Sequence, residues 1–491
     1  MSGEPFDLAV IGGGINGCGI ARDAAGRGAR VLLLEAGDLA QGTSSASTKL
    51  IHGGLRYLEH REFALVREAL QERERLWAMA PHLIRPQRFV LPQVPGLRPA
   101  WLLRLGLFLY DHIGGRKRLP ATQTVRLADH PAGAALKPGP RRGFVYSDCT
   151  VDDARLVVAN ARDAADRGAE VRTRTPATGL AREGGLWRIA TPHGTFHARA
   201  VVNAAGPGVL AVLDLAGQRG GYSLRLVRGS HLVVPKLFDH AFAYFFQLRD
   251  GRIFFAIPYE TDFTLIGTTD ADHAGPLDQV APSAEEIAYL CEAASHQFVR
   301  AVKPQDAVWT FAGVRPLVDD GSGRPEAATR GYRLELSPEA DGAPLLSVFG
   351  GKITTYRHLA QQAVDLLAER LPLGGLPSGW TGEAPLPGGD FPVDGADALI
   401  AQAQATHPGG DPATARRLVR AYGTGALELA AGARQGEQFG HGLGEGELRH
   451  LMAREWAQTA DDVLWRRTKL GLRFTPQQTA RLAAWMAENA R

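Results

Sequence analysis

The first 35 residues pass through apolar runs and small residues in a pattern that predicts a strand, a turn, a helix and a second strand. Asp7-Leu-Ala-Val-Ile11 is a short apolar run, as expected of a strand buried on both faces. Gly12-Gly-Gly-Ile-Asn-Gly17 follows at once. Cys18 to Arg27 reads as a helix whose alanines allow close packing on a sheet, with Cys18 as a small packing residue. Ala29-Arg-Val-Leu-Leu-Leu-Glu35 is a second strand ending in an acid. Late in the chain, Ala198-Arg-Ala-Val-Val-Asn-Ala-Ala-Gly-Pro207 is a strand running into a small-residue turn. Pro344 to Arg357 gives a strand, the glycine pair Gly350-Gly351 and a helix.

The remaining pattern is coarser. Residues 60–80 have helical spacing, and Pro81 to Pro99 is proline-rich and reads as irregular. From Ser223 to Thr269 the runs are β-like: Gly229 to Pro235, Tyr244 to Leu248, and Ile253 to Ile257. Asp250-Gly251 between the last two marks a hairpin, and the whole suits an antiparallel sheet roofing a cavity. After about residue 372 glycine and proline become dense, and a series of helices follows to Arg491, with Gly442 to Gly446 read as a loop. The fold class expected is α/β, a Rossmann-like FAD-binding domain with an inserted antiparallel β substrate domain and a C-terminal α-helical domain. The FAD-binding parts are set at 1–90, 146–222 and 313–372, a substrate or cap segment at 91–145, the β domain at 223–312 and the helical domain at 380–491.

Composition narrows the class. The chain has 491 residues, too many for one ordinary core. A formal net charge of +3 with 22% charged residues excludes a strongly basic nucleic-acid binder, though not a local basic pocket for an anion. Cys18, Cys149 and Cys291 have no paired spacing, so no disulfide framework and no metal knuckle is expected, and a reducing compartment fits. No secretory signal and no membrane span is expected. The expected location is the cytoplasm, or the cytoplasmic face of a membrane.

The glycine turn has a chemical reading. Gly12 permits the tight turn, Gly14 lets the backbone approach a pyrophosphate, and Gly17 lets helix and strand pack closely. The helix N-terminus offers N–H groups and partial positive charge to phosphates. Glu35 suits an adenosine ribose and repels a 2′-phosphate, which argues against NADP. The return of the strand-and-turn pattern after long insertions points to FAD. A helix starting after Gly350-Gly351 would aim its dipole at the flavin pyrimidine. No second dinucleotide site is evident, so electrons leave for a non-nicotinamide acceptor. Thr43 to Tyr57 is too rich in hydroxyls and glycines for a core element, and suits the pyrophosphate and ring edge. Seven lysines stand against 48 arginines, and Lys49 and Lys352 both fall in glycine-bounded segments.

Six segments then carry a resemblance. His52-Gly-Gly-Leu-Arg-Tyr-Leu-Glu59, Tyr146-Ser-Asp-Cys-Thr-Val-Asp-Asp153, Gly267-Thr-Thr-Asp270, Gly313-Val-Arg-Pro-Leu317, Ser347-Val-Phe-Gly-Gly-Lys352 and Asp461-Asp-Val-Leu-Trp-Arg-Arg-Thr-Lys469 resemble the bacterial aerobic glycerol-3-phosphate dehydrogenases, in order and over nearly the whole chain. The resemblance implies FAD, sn-glycerol 3-phosphate as substrate and membrane quinone as acceptor, with the protein peripheral to the membrane. A homodimer is expected. Substrate-binding positions are Arg56, Tyr57, Arg330, Lys352 and Thr355. The cofactor positions are Gly12, Gly14, Asn16, Gly17, Glu35, Ala36, Thr43, Ser44, Ser45, Ser47, Lys49 and Ile51, then His52, Ala204, Gly206, Gly350, Gly351, Lys352 and Thr354. His52 and His231 are alternative catalytic bases, and Arg315 is placed to stabilise a developing alkoxide. Arg98 to Tyr110, with Arg116-Lys-Arg118 beyond it, reads on its own as a buried helix with a basic exit. An interfacial helix beside anionic lipid is the other reading. A soluble oxidase using oxygen, or a non-catalytic flavin-binding scaffold, would share the cofactor motifs.

Overall fold

The computed structural model describes residues 4–490 except 60, 95–96, 116–117, 140, 221–222, 249, 319–330, 339, 341, 407–409 and 433–434. Two sheets organise the first three quarters of the chain. In the first, strands Leu345–Gly350, Gly194–Asn203, Phe6–Ile11, Val31–Leu34 and Glu170–Arg172 lie side by side in parallel, edged by the antiparallel Tyr332–Leu336. Leu8, Ala9 and Val10 pair with Ala200, Val201 and Val202 on one side and with Val31, Leu32 and Leu33 on the other. All are fully buried, which is why the runs are continuously apolar. Helix Ile15–Gly26 packs between helices Asp153–Asp166 and Tyr356–Leu367. It can lie that close because Gly19 faces the Tyr356 ring and Cys18 is fully buried.

The second sheet has ten strands and is mostly antiparallel. Leu224–Pro235 pairs with both Trp309–Val318 and Phe263–Gly267, and the hairpin Ala243–Gln247 with Ile253–Tyr259 turns at Gly251. It also takes in Ile84–Pro92 and Arg142–Val151, so segments expected to divide at 90/91 and 145/146 run unbroken through those positions as strands. The stretch Pro81 to Pro99 is therefore not irregular as expected. Pro86 is tolerated because its strand pairs there with Arg142–Val151 only, while the strand on its other side joins at Phe89 and Val90.

Helix Ala100–Ile113 corrects the buried-helix reading. Only Leu107, Tyr110 and Asp111 are buried, while Trp101 is 68% exposed and Leu102, Leu105, Phe108 and Leu109 are also exposed. Its stem Arg118 is exposed, and Arg116 and Lys117 lie outside the described residues. Among the described residues, no helix is long and apolar enough to cross a membrane.

From residue 396 the chain is helical around its own core of Leu418, Val419, Leu448, Leu451, Val463 and Leu482. Gly442 to Gly446 is not a loop throughout. Leu443–Gly444 pairs with Gln438–Gly440, and helix Glu445–Arg454 starts directly after Gly444. This helical unit is docked by buried ion pairs rather than by apolar contact alone. Asp38 receives Arg467 at 2.7 and 2.8 Å and Arg466 at 2.5 Å. Arg174 reaches Asp462 at 2.7 Å, and Lys469 reaches Asp152 at 3.3 Å. Arg155 grips Glu455 with both terminal nitrogens, Nη2 to Oε1 at 2.9 Å, and donates to Ala421 O. Burial pushes the Glu455 carboxyl up, but Arg155, with His450 and Arg467 beside it, more than reverses that and holds it at about 2.

A folded value below the unfolded carboxylate at about 4.3 makes Glu455 stabilising above that pH, with the contribution lost as pH falls toward 2. Removing the charge strands Arg155 in the interior. Glu455→Gln is expected to cost about 3 kcal/mol at pH 7, read as a lower thermal midpoint, and to flatten the acid limb of the wild-type stability curve.

Candidate active site

The parallel strands end side by side, and the small-residue segments gather at those ends. Gly12 has φ of +115°, and a Cβ on it would lie 2.5 Å from Ala204 O. A Cβ on Gly17 would lie 1.9 Å from Gly12 O, so helix and strand meet at a distance only glycine allows. Glu35 closes the turn from the second strand, with Oε2 accepting from Gly13 N at 2.6 Å and Oε1 from Gly37 N at 2.7 Å. Burial raises its carboxyl pKa, and the two N–H donors only partly offset this. Ala36 is exposed beyond it, and Gly206 takes φ of +57° after Ala204. Across the cradle, Asn16 Nδ2 donates to Gly350 O at 3.2 Å, and a Cβ on Gly351 would meet that amide at 2.8 Å. Asn16 Oδ1 is buried with no hydrogen-bond partner among the described residues. A glycine-walled turn, a helix N-terminus and an acid at the second strand fit a pyrophosphate-bridged dinucleotide.

The loop from Thr43 to Tyr57 joins this cradle to the second sheet. Ser44 Oγ accepts from Ile15 N at 3.0 Å, and Thr43 Oγ1 donates to Val314 O at 2.7 Å. Lys49 is 3% exposed, and its ammonium donates to Ser45 O and to both oxygens of Asp153, at 2.9 to 3.0 Å. Ser47 donates to Asp153 through its N–H and hydroxyl. Lys49 and Ser47, expected at the cofactor, are thus both engaged by an internal carboxylate. Ile51 is fully buried and pairs with Cys149. His52 N donates to Thr354 Oγ1 at 3.3 Å, and Gly53 N to Tyr110 OH at 2.7 Å, with Tyr110 in turn donating to Asp148. The pair Gly53-Gly54 is required by crowding: Cβ atoms there would meet Leu70 at 2.5 Å and Tyr57 at 2.2 Å.

One face of the second sheet completes the site. Phe311, His231, Gly267, Phe255 and Phe245 are successive cross-strand partners, so their side chains share a face. His231 stacks on Phe311 with ring centroids 4.9 Å apart and fills the space left by Gly267. Its Nε2 is 2.9 Å from Thr48 Oγ1, and Nδ1 is buried with no partner among the described residues. Burial, with Lys49 and Arg315 nearby, drives its pKa well below the usual value and keeps the ring neutral. His52 Nδ1 accepts from Gly54 N at 3.1 Å, which leaves the neutral ring's proton on Nε2 as a donor. Burial lowers its pKa as well. Arg315 pairs with Asp270 at 2.9 Å and reaches Thr269 O at 3.3 Å, in room that Gly229 leaves.

Lys352 Nζ lies 4.0 Å above the Tyr57 ring, which brings the glycine-pair segment against the turn Leu55–Leu58 that carries Arg56. Thr355 is buried and begins helix Tyr356–Leu367. Arg330 lies outside the described residues. Tyr110, Asp148 and Asp153 position the site and were not singled out from sequence. The segment Tyr146 to Asp153 held the signal for the two aspartates, while Tyr110 sits in a run that reads as apolar and aromatic with basic flanks.

A family model described as FAD dependent oxidoreductase matches residues 7–357, and one described as the C-terminal domain of alpha-glycerophosphate oxidase matches residues 380–490. The D-erythritol 1-phosphate dehydrogenase of Brucella abortus (strain 2308) is 49% identical and covers 98% of both chains. The aerobic glycerol-3-phosphate dehydrogenase of Escherichia coli (strain K12) is 48% identical over 99% of this chain and 98% of its own. Among solved structures, the glycerol-3-phosphate dehydrogenase from Bacillus halodurans complexed with FAD has a TM-score of 0.78 at 28% identity, over 99% of this chain and 91% of that one. The cradle at the strand ends, the cationic turn beside it and these full-length matches agree: the chain is an FAD-dependent oxidoreductase of the bacterial glycerol-3-phosphate dehydrogenase family.

Proposed function

We propose that the protein oxidises sn-glycerol 3-phosphate to dihydroxyacetone phosphate and passes the electrons to a membrane quinone. The observation that carries this reading is Lys352 Nζ lying 4.0 Å above the ring of Tyr57, in the turn that also carries Arg56, next to His52 and the glycine cradle. Two cations and a phenol suit a phosphate dianion, at roughly 1.5–3 kcal/mol for each charge-assisted hydrogen bond. Arg330 joins them in the family's pattern.

Bound FAD supplies the acceptor for the hydride leaving C2. Its pyrophosphate would lie on the turn Gly12 to Gly17, with Asn16 and Ser44 at the helix start and Gly350-Gly351 opposite. Around the C2 oxygen the residues present donors. The guanidinium of Arg315 and the Nε2–H of His52 would donate to the oxyanion left as the O–H proton passes to water. His231 is less suited to take that proton, since Thr48 holds one nitrogen and the sheet encloses the other.

Helix Ala100–Ile113 would lay Trp101, Leu105 and Phe108 into the interface of a membrane, with Arg104 and Arg118 beside anionic headgroups. The protein would then sit on the cytoplasmic face, within reach of quinone.

Glycerol 3-phosphate added without oxygen is expected to bleach the bound flavin, and a quinone analogue to restore its colour faster than oxygen does. Unbleached flavin sinks the reading, and fast reoxidation by oxygen with peroxide formed sinks the acceptor. His52→Gln is expected to slow bleaching by roughly 100-fold, as loss of one oxyanion donor does. In the wild type, kcat/KM should fall as pH drops through a His52 value below 6.5, because protonating Nδ1 opposes Gly54 N–H; the variant should lose that limb. Trp101→Ser with Phe108→Ser should abolish pelleting with anionic vesicles while turnover with a soluble dye is kept. Unchanged pelleting would exclude this helix as the contact.

A further inference from the structure

We propose that Glu286 is a positioning residue for the oxidation step: it fixes the turn Thr269-Asp270, and through that turn the guanidinium of Arg315. The proposal rests on the role given to Arg315 above and adds the group that sets its aim.

Arg315 is held by a two-residue clamp. Its Nη1 pairs with Asp270 Oδ1 at 2.9 Å, and its Nη2 donates to Thr269 O at 3.3 Å. Gly229 leaves room for it, since a Cβ there would lie 2.3 Å from Nη2. A guanidinium carries five N–H donors in one plane, so fixing two of them turns the rest in a set direction. The clamp thus decides whether the remaining donors meet a developing oxyanion.

The clamp and Arg315 are not joined by a backbone ladder. The turn follows strand Phe263–Gly267, Arg315 comes from Trp309–Val318, and these two strands flank Leu224–Pro235 on opposite sides. What holds the turn is a carboxylate behind it. Glu286, in the first turn of helix Ala284–Gln297, is buried. Its Oε1 accepts from Thr269 Oγ1 at 2.7 Å and from Ser230 Oγ at 2.9 Å. Its Oε2 accepts from Ser283 N at 3.0 Å and pairs with Arg228 at 2.6 Å. Thr269 Oγ1 in turn accepts from Ser230 N at 3.0 Å, so that hydroxyl is fixed as donor and as acceptor. Burial pushes the Glu286 carboxyl up, but Ser283, Thr269, Ser230 and Arg228 more than reverse that, and an ionised carboxylate can only accept.

Capping the helix uses only the bond to Ser283 N. The other three partners lie outside the helix, and two of them, Thr269 and Ser230, lead to the clamp. Glutamine separates the two roles. It serves a capping box as glutamate does, but it has one acceptor oxygen. Arg228, as the charged donor, claims that oxygen, and the amide NH2 is left facing Thr269 and Ser230. The turn loosens while the helix start stays.

The test uses full-length, FAD-loaded protein. Glu286→Gln is expected to lower kcat for sn-glycerol 3-phosphate about tenfold, with KM within about threefold because Arg56 and Lys352 are untouched. Calorimetry supplies a readout apart from turnover. 2-Phosphoglycolate carries a carboxylate where the substrate has its C2 oxygen. Its Kd should rise about tenfold in the variant, against less than about twofold for inorganic phosphate. In an Arg315→Ala background Glu286→Gln should cost nothing further in either measurement, since its effect passes through that guanidinium. Thr269→Val breaks the link from the other end, leaves Glu286 with Ser283 and Arg228, and should repeat the pattern at about fivefold. Losses that multiply fully with Arg315→Ala overturn the proposal, because they mark Glu286 as part of the fold alone. Unchanged kcat in both Glu286→Gln and Thr269→Val also overturns it and leaves the role of Arg315 standing. Full turnover by Arg315→Ala removes that role and the proposal together.

Discussion

Two adjacent carboxylates, Asp152 and Asp153, hold the parts of this molecule together. Asp153 takes Lys49 and Ser47 from the loop that leads to His52. Asp152 caps the same helix through Arg155 N and takes Lys469 from the helical unit. One helix start therefore fixes both the loop above the cofactor cradle and the far end of the chain. The pairing is strict in energetic terms, because an ammonium as deeply buried as Lys49 is tolerable only while its carboxylate is present. Asp38 repeats the device with Arg466 and Arg467, from the loop that follows Glu35.

On that frame the two sheets divide the labour. Parallel strand ends present backbone donors and glycine-lined space, which suit a phosphate-bridged cofactor and little else. The antiparallel sheet presents a row of rings, and glycine substitutes for a side chain wherever a neighbour must lie flat. Gly267 seats His231 and Gly229 seats Arg315, so the geometry of two catalytic candidates is set by residues that have no side chain.

Local patterns were legible in the sequence, and long-range ones were not. The glycine turn, its flanking strands and the Asp250-Gly251 hairpin are encoded within a few residues, and each forms where expected. The strand Ile84–Pro92 was obscured because proline signals a break, and only the pairing partners reveal that Pro86 lies where one neighbour is missing. The segment around Lys49 points to the cofactor, and nothing near it in sequence announces the carboxylate 104 residues away that its ammonium also meets. The helix Ala100–Ile113 has the composition of a buried element, and exposure is not a property of composition. Arg330 marks another limit, since its segment lies outside the described residues.

The scarcity of lysine has a practical side. Of the seven, Lys49 and Lys469 are buried in ion pairs and Lys352 lies against Tyr57. Lys137, Lys236 and Lys303 remain toward solvent among the described residues, and they are neighbours: Lys137 N donates to Gln297 O, Arg300 donates to Lys236 O, and Lys303 follows three residues on. Among the described residues, amine-directed coupling to a sensor chip or bead would therefore fall on the patch around residues 297–303, one face of the protein, while Lys117 and the N-terminal amine lie outside the described residues.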